Sequence, residues 1–275
     1  MPKTEFSAEA TAAIARLIAR IADNKYALGR HYAEWCSAAP TLESAVAAAA
    51  MAQDELGHAR ALYPLLRALT PGAGAESEPE TRTRFTHMAV LDQPLPGWED
   101  VVTANLLVDG ALTTLFEAAV SSAYEPLAGR SRKVLQEERM HTQHAASWAR
   151  LLAREGGGIR AAFEASLRRV WPEVLCWFGP AGDEGKAGDA LAADGVLDAT
   201  PDELRARFLA AVGPLIKAER LNLPLRRAGD ETWELIEPLP WDRFDAETYR
   251  LAHGTAAGAV VTPVATGDAD AEERA

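Results

Sequence analysis

Cysteine is nearly absent from this chain, with Cys36 and Cys176 the two thiols among 275 residues. Two isolated thiols cannot build a disulfide framework, and they are too few to hold an iron–sulfur cluster. Long apolar runs are missing as well, because the start is polar and the alanine-rich stretch at 45–52 is interrupted at once by polar residues. We therefore expect a cytoplasmic protein without a signal peptide or a membrane span.

Positive charge is also in short supply, since 28 lysines and arginines face 40 aspartates and glutamates and leave a net charge of −12. This balance argues against a protein that binds nucleic acid or an anionic membrane non-specifically. A local basic patch for an acidic substrate would have to come from Arg60, Arg67, Arg130, Arg132 and Lys133. We interpret these five side chains as ordinary solvated charges.

Helix-forming residues fill the segments between clusters of glycine and proline, and apolar residues such as Ile14, Leu17, Ile18 and Ile21 recur at helical spacing. The sequence predicts an all-α fold, namely a ferritin-like four-helix bundle with additional C-terminal helices. The predicted bundle helices cover 7–36, 41–69, 98–124 and, after a break at 125–129, the segment that ends at Glu155.

A long connection, rich in Pro, Gly, Glu and Thr, joins the second and third predicted helices at 71–97. Such a connection suits the crossover of a ferritin-like bundle. Two further helices are predicted at 159–178 and 201–219. The chain is thus divided into a bundle with a metal site at 1–157, a helical extension packed on it at 158–253, and a disordered tail at 254–275.

Two copies of a Glu-x-x-His pattern lie on the second and fourth predicted helices, as Glu55 with His58 and Glu138 with His141. Because residues three apart leave a helix on the same side, each pair presents a carboxylate and an imidazole together. A single pattern of this kind is common by chance. Two of them on long helices are typical of a carboxylate-bridged two-metal site in a bundle.

The third helix offers Asp109, which lies within an apolar run where a charge is rarely buried without a metal or a partner. The first helix offers no carboxylate at the matching level, because pseudo-symmetry points to Lys25 or Tyr26 instead. Asp23 faces the wrong side of that helix, and Glu34 lies too far along it. We expect the Lys25 ammonium to enter the cluster and pair with Glu55 or Asp109, since a buried lysine is costly unless it is neutralised.

Three segments resemble the ligand segments of the catalytic subunit in the phenylacetyl-CoA epoxidase subunit family: QDELGHA at 53–59, LVDGA at 107–111 and EERMH at 137–141. The segment ADNKYALG at 22–29 is more similar to the non-catalytic partner subunit, which shares the fold but has lost its metal ligands. The resemblance implies the metal ligands Glu55, His58, Asp109, Glu138 and His141, and it places the family's helix-one glutamate at Lys25.

From this resemblance we expect a non-haem iron oxygenase or oxidase that activates O2, with Lys25 and Tyr26 at the reaction site. Two iron ions are expected, with one ion as the alternative and manganese also compatible. The implied partners are a small aromatic substrate of the acyl-CoA type, a separate reductase, and further copies or subunits in an oligomer, without nucleic acid or membrane. The alternative hypothesis is a non-catalytic structural subunit of such a complex, with a partial or absent metal site.

Overall fold

Four long helical segments form the main body of the protein in the computed structural model, which describes residues 6–72, 74–180 and 186–252. The first two are α1 (Ala8–Glu34) and α2 (Leu42–Leu69). The third comprises α3 (Trp98–Thr103), a π-helical turn (Ala104–Asp109) and α4 (Gly110–Ala118), and the fourth is α5 (Glu125–Arg154). The prediction of an all-α fold is confirmed, since 67% of the protein is helical.

The helix boundaries follow local side-chain chemistry. Ser7 and Thr41 cap α1 and α2, because their hydroxyls accept from the backbone amides of Ala10 and Ser44, each at 3.1 Å. The predicted break at 125–129 is wrong, because α5 begins at Glu125 and continues through it. Pro126 lies in the first turn, where the missing N–H of a proline costs nothing, so it starts the helix instead of interrupting one.

Helix α1 is the central element, with 18 of its 27 residues buried. It packs along α2 so closely that a Cβ added to Gly29 would lie 2.8 Å from the Leu56 side chain. The third segment is also enclosed: Trp98–Ala118 is long and apolar enough to cross a membrane, but 83% of that window is buried within the protein. Its composition therefore reflects a core helix.

The C-terminal third adds α6 (Gly158–Trp177), α7 (Lys186–Ala193) and α8 (Pro201–Ala218). Two short antiparallel hairpins follow, which the sequence did not predict: β1 (Leu225–Arg227) pairs with β2 (Trp233–Leu235), and β3 (Phe244–Asp245) pairs with β4 (Arg250–Leu251). Strands of two or three residues are too short to produce a recognisable alternating pattern. The predicted disordered tail at 254–275 lies outside the described residues.

Asp23 fixes the crossover between α2 and α3 to the bundle. Its buried carboxylate accepts hydrogen bonds from the Tyr63 hydroxyl at 2.8 Å, from the Thr86 amide at 2.7 Å and hydroxyl at 2.9 Å, and from two nitrogens of Arg82 at 2.8 and 2.9 Å. Thus the acid that faces away from the metal-ligand level binds the crossover instead. Further along, Glu173 of α6 accepts from the amides of Ala89 and Val90.

We expect Asp23→Ala to lower the free energy of unfolding by about 3–5 kcal/mol, because the guanidinium of Arg82 would stay buried without its counter-charge. Urea unfolding followed by circular dichroism measures this loss. The control is Asp198→Ala, which removes a half-exposed ion pair with Arg207 and should cost less than about 1 kcal/mol. Equal losses in the two variants would show that Asp23 does not hold the crossover.

Candidate metal centre

Four helices bring one group of ionisable side chains together in the middle of the bundle. Each member is at least nine-tenths buried, and the group comprises Lys25 of α1, Glu55 and His58 of α2, Asp109 at the end of the π-helical turn, and Glu138 and His141 of α5. A π-helical turn widens a helix locally and often marks a functional position. All five predicted ligands therefore lie in one region.

Lys25 lies at the centre of this cluster. Its fully buried ammonium donates to three carboxylates, at 2.9 Å to Glu55 Oε1, 2.5 Å to Asp109 Oδ1 and 2.6 Å to Glu138 Oε1. All three N–H donors of the ammonium are thereby used. Burial alone would lower the pKa of Lys25, but the charges of the three acids raise it well above its usual value. The expected pairing of Lys25 with Glu55 or Asp109 is present.

His141 provides a second positive charge. Its Nδ1 lies 3.0 Å from Asp109 Oδ2 and 3.1 Å from Glu55 Oε1, while Nε2 lies 3.3 Å from Asp54 Oδ2. Burial disfavours the charged ring, but the hydrogen bonds to Asp109 and Glu55 outweigh it and raise the pKa of His141 to about 11. The ring is therefore an imidazolium at neutral pH.

His58 is neutral, in contrast. Burial and the neighbouring Lys25 ammonium lower the pKa of His58 to about 3. Its Nε2 lies 2.6 Å from Glu137 Oε2, so Nε2–H donates to that carboxylate and Nδ1 faces inward. There Nδ1 lies 3.5 Å from Glu138 Oε1 and 4.0 Å from Glu55 Oε2.

Two outer carboxylates orient the histidines, and our reading of the sequence missed both. Asp54 precedes Glu55 on α2 but contacts His141 of α5, whereas Glu137 precedes Glu138 on α5 but contacts His58 of α2. This exchange follows the pseudo-symmetry of the two helices. The sequence did contain the signal, because an acid stands directly before each Glu-x-x-His pattern.

Two further side chains complete the surroundings. The Thr113 hydroxyl donates to Glu138 Oε2 at 3.0 Å, and the Asn105 amide donates to Asp109 Oδ2 at 3.2 Å. His144 is one step further away, because it hydrogen-bonds to Asn105 at 3.3 Å. Tyr26 lies outside the cluster, where its ring stacks on Phe85 with centroids 6.0 Å apart. Its role near an oxidant stays a prediction from the sequence.

The charges of the cluster balance without an added ion. Lys25 and His141 hold the pKa of Asp109 well below its usual range, although burial acts in the opposite direction. Burial and the neighbouring Asp109 raise the pKa of Glu55 to about 8, and the same two causes raise the pKa of Glu138. Three carboxylates that share one proton carry two negative charges, which the two cations neutralise.

The side chains present do not fit a two-metal centre. Donor atoms of Glu55, Asp109, Glu138 and His141 lie within 4.8 Å of one another, as the ligands of one ion would. However, three of these four direct oxygens at the Lys25 ammonium. A two-metal site of this class also needs a carboxylate from the first bundle helix, and the described part of α1 supplies a cation at that level.

Comparisons with known proteins agree with this geometry. The family of phenylacetic acid catabolic proteins matches residues 1–234. Two different subunits of 1,2-phenylacetyl-CoA epoxidase from Escherichia coli (strain K12) are similar to this chain. One is 26% identical over 190 residues, which cover 69% of this chain and 62% of that protein. The other is 27% identical over 214 residues, which cover 76% of this chain and 83% of that protein. The resemblance stated from the sequence is confirmed.

The raised pKa of His141 predicts how stability depends on pH. The folded protein keeps a proton that the unfolded chain releases, so the stabilising contribution is complete below pH 6.5 and is lost as the pH rises towards about 11. We expect His141→Gln to lower the free energy of unfolding by about 3 kcal/mol below pH 6.5 and by progressively less above it. Urea unfolding of both proteins across this range measures the difference. A difference that does not change with pH would contradict the imidazolium.

Proposed function

This chain belongs to the family of phenylacetic acid catabolic proteins, and on that premise we propose that it is a non-catalytic companion subunit of an oxygenase complex. The complex would be related to phenylacetyl-CoA epoxidase, two subunits of which are similar to this chain. The proposal follows the alternative hypothesis from the sequence, and it places the protein in the cytoplasm.

One observation carries the proposal, namely the hydrogen bonds from the Lys25 ammonium to Glu55, Asp109 and Glu138. An ammonium and a metal ion compete for the same carboxylate oxygens. To admit an ion, Lys25 would have to leave partners that satisfy all its donors, inside a helix where its side chain has no exposed surface. Such a displacement is costly, because an unpaired charge in the interior loses both its water and its counter-ions.

The charge balance supports the same conclusion. A divalent ion gains most of its binding energy from unneutralised carboxylates, and here Lys25 and His141 already supply two positive charges. The cluster would then stabilise the bundle as a buried salt-bridge network. The iron, the acyl-CoA substrate and the electrons from a reductase would be handled by the catalytic subunit of the complex.

A second candidate function is the iron-dependent oxygenase expected from the ligand motifs. It is favoured by the retention of the hydrogen bonds that orient the ligands, from Asp54 to His141 and from Glu137 to His58. Such outer contacts commonly tune metal ligands in proteins. Under this reading Lys25 would move aside when iron binds, and one or two ions would be held by Glu55, His58, Asp109, Glu138 and His141.

Anaerobic loading with Fe(II), followed by a metal count per chain, separates the two candidates. We expect the wild-type protein to retain far less than one iron ion. Lys25→Glu supplies the missing carboxylate and removes the competing cation, so we expect its iron content to rise towards two ions per chain. Fe(II) should also raise the melting temperature of Lys25→Glu, because four buried carboxylates repel one another until a cation binds.

Lys25→Met is the matched control, since it removes the ammonium without adding a ligand. We expect this variant to bind at most one ion, and circular dichroism would verify that each variant is folded. A wild-type protein that binds two iron ions, or a Lys25→Glu protein that binds no more iron than the wild type, would contradict the proposal.

A further inference from the structure

Helix α5 carries an outward face whose charge is opposite to that of the protein as a whole. Between Arg130 and Arg154 this helix has six basic residues and two acids, Glu137 and Glu138. Neither acid serves the outer surface, because Glu138 is buried in the cluster and Glu137 is bound to His58. The outward face of α5 is therefore purely basic, although the chain has a net charge of −12.

A continuous exposed row runs along this face. Its members are separated by three or four residues, so they lie on one side of the helix. They are Lys133, Gln136, Met140, Gln143, Ser147 and Leu151. Met140 is 67% exposed and Leu151 is 47% exposed, which makes them two of the few large apolar side chains on the described surface. Large exposed apolar residues within a polar surround are typical of a protein-binding surface.

Three basic side chains around this row have no use within the described structure. Arg130, Lys133 and Arg139 are exposed, and none of them forms a hydrogen bond or an ion pair with another described residue. In contrast, Arg132 binds Glu125 and Arg154 binds Glu219. The unpaired cations lie within ten residues of one another and adjoin Met140 in the sequence or on the helix face.

We infer that the outward face of α5 docks the carboxylate-rich surface of an acidic companion subunit, with Met140 and Leu151 as its apolar anchors. Charge complementarity is the reason for an acidic protein, because opposite charges across an interface steer the encounter and fix its register. A nucleic acid or an anionic membrane extends beyond the patch and would meet the repulsion of the acidic remainder of the chain. A folded partner can confine its contact to α5.

This inference rests on the proposed function only in assuming that the chain works within a complex, as its relatives' names as subunits indicate. It reinterprets Arg130 and Lys133, which the sequence analysis took to be ordinary solvated charges. Methionine suits an anchor position because its flexible, polarisable side chain adapts to the opposing surface. The buried cluster lies directly beneath, since Glu137 is one helical turn from Met140.

Photo-cross-linking in the host organism tests the inference on the full chain. A photoreactive amino acid replaces Gln136 or Gln143 on α5, and Gln53 on the exposed side of α2 as the control position. We expect cross-links from the two α5 positions to peptides of an acidic companion subunit, identified by mass spectrometry, and few from Gln53. The yield should fall about ten-fold in Lys133→Glu/Arg139→Glu, because both charges would then repel the partner.

Arg60→Glu is the matched charge control, since Arg60 is exposed on α2 and has no described partner. Its cross-linking yield from α5 should stay within about two-fold of the wild type. The inference is overturned by cross-links to lipid or nucleic acid, by a product made of two copies of this chain, by equal yields from Gln53, or by no product at all. These outcomes are independent of the iron count, so a wrong interface and a wrong function can be told apart.

Discussion

The salt bridges between the Lys25 ammonium and Glu55, Asp109 and Glu138 are the interaction on which the centre of this protein depends. Three carboxylates cannot share a water-free space unless positive charge or protons offset their repulsion. A bundle of this class can use metal ions for that purpose. Here a lysine on α1, with the imidazolium of His141, neutralises the acids and links all four helical segments through one ammonium.

The cluster keeps the organisation of a metal centre around this substitution. Asp54 and Glu137 still orient the histidine of the opposite helix, and Asn105 and Thr113 still bind the inner carboxylates. These contacts satisfy buried polar atoms whether the central cation is a metal or an ammonium. Their presence therefore explains why the ligand motifs remain legible in the sequence, and it does not by itself indicate that a metal is bound.

The burial of α1 connects the cluster to the rest of the fold. Because this helix is enclosed, each polar residue on it must find a partner, and neighbouring residues find different ones: Asp23 binds the crossover, Asn24 accepts from the Met88 amide, and Lys25 binds the acids. The crossover and the centre are thereby held by adjacent positions of one helix. The functional surface then passes to the outside of α5, where the charges stay unpaired within the described chain.

The sequence by itself determined the helical class, the bundle order and the inner acids and histidines, because helical periodicity and a three-residue spacing are local properties. It also indicated that Lys25 would need a carboxylate. Only the tertiary structure decided that one ammonium serves three acids from three helical segments, that Asp54 and Glu137 exchange partners across α2 and α5, and that Tyr26 turns towards Phe85. The physical reason is that distances between helices depend on packing, which local spacing does not encode.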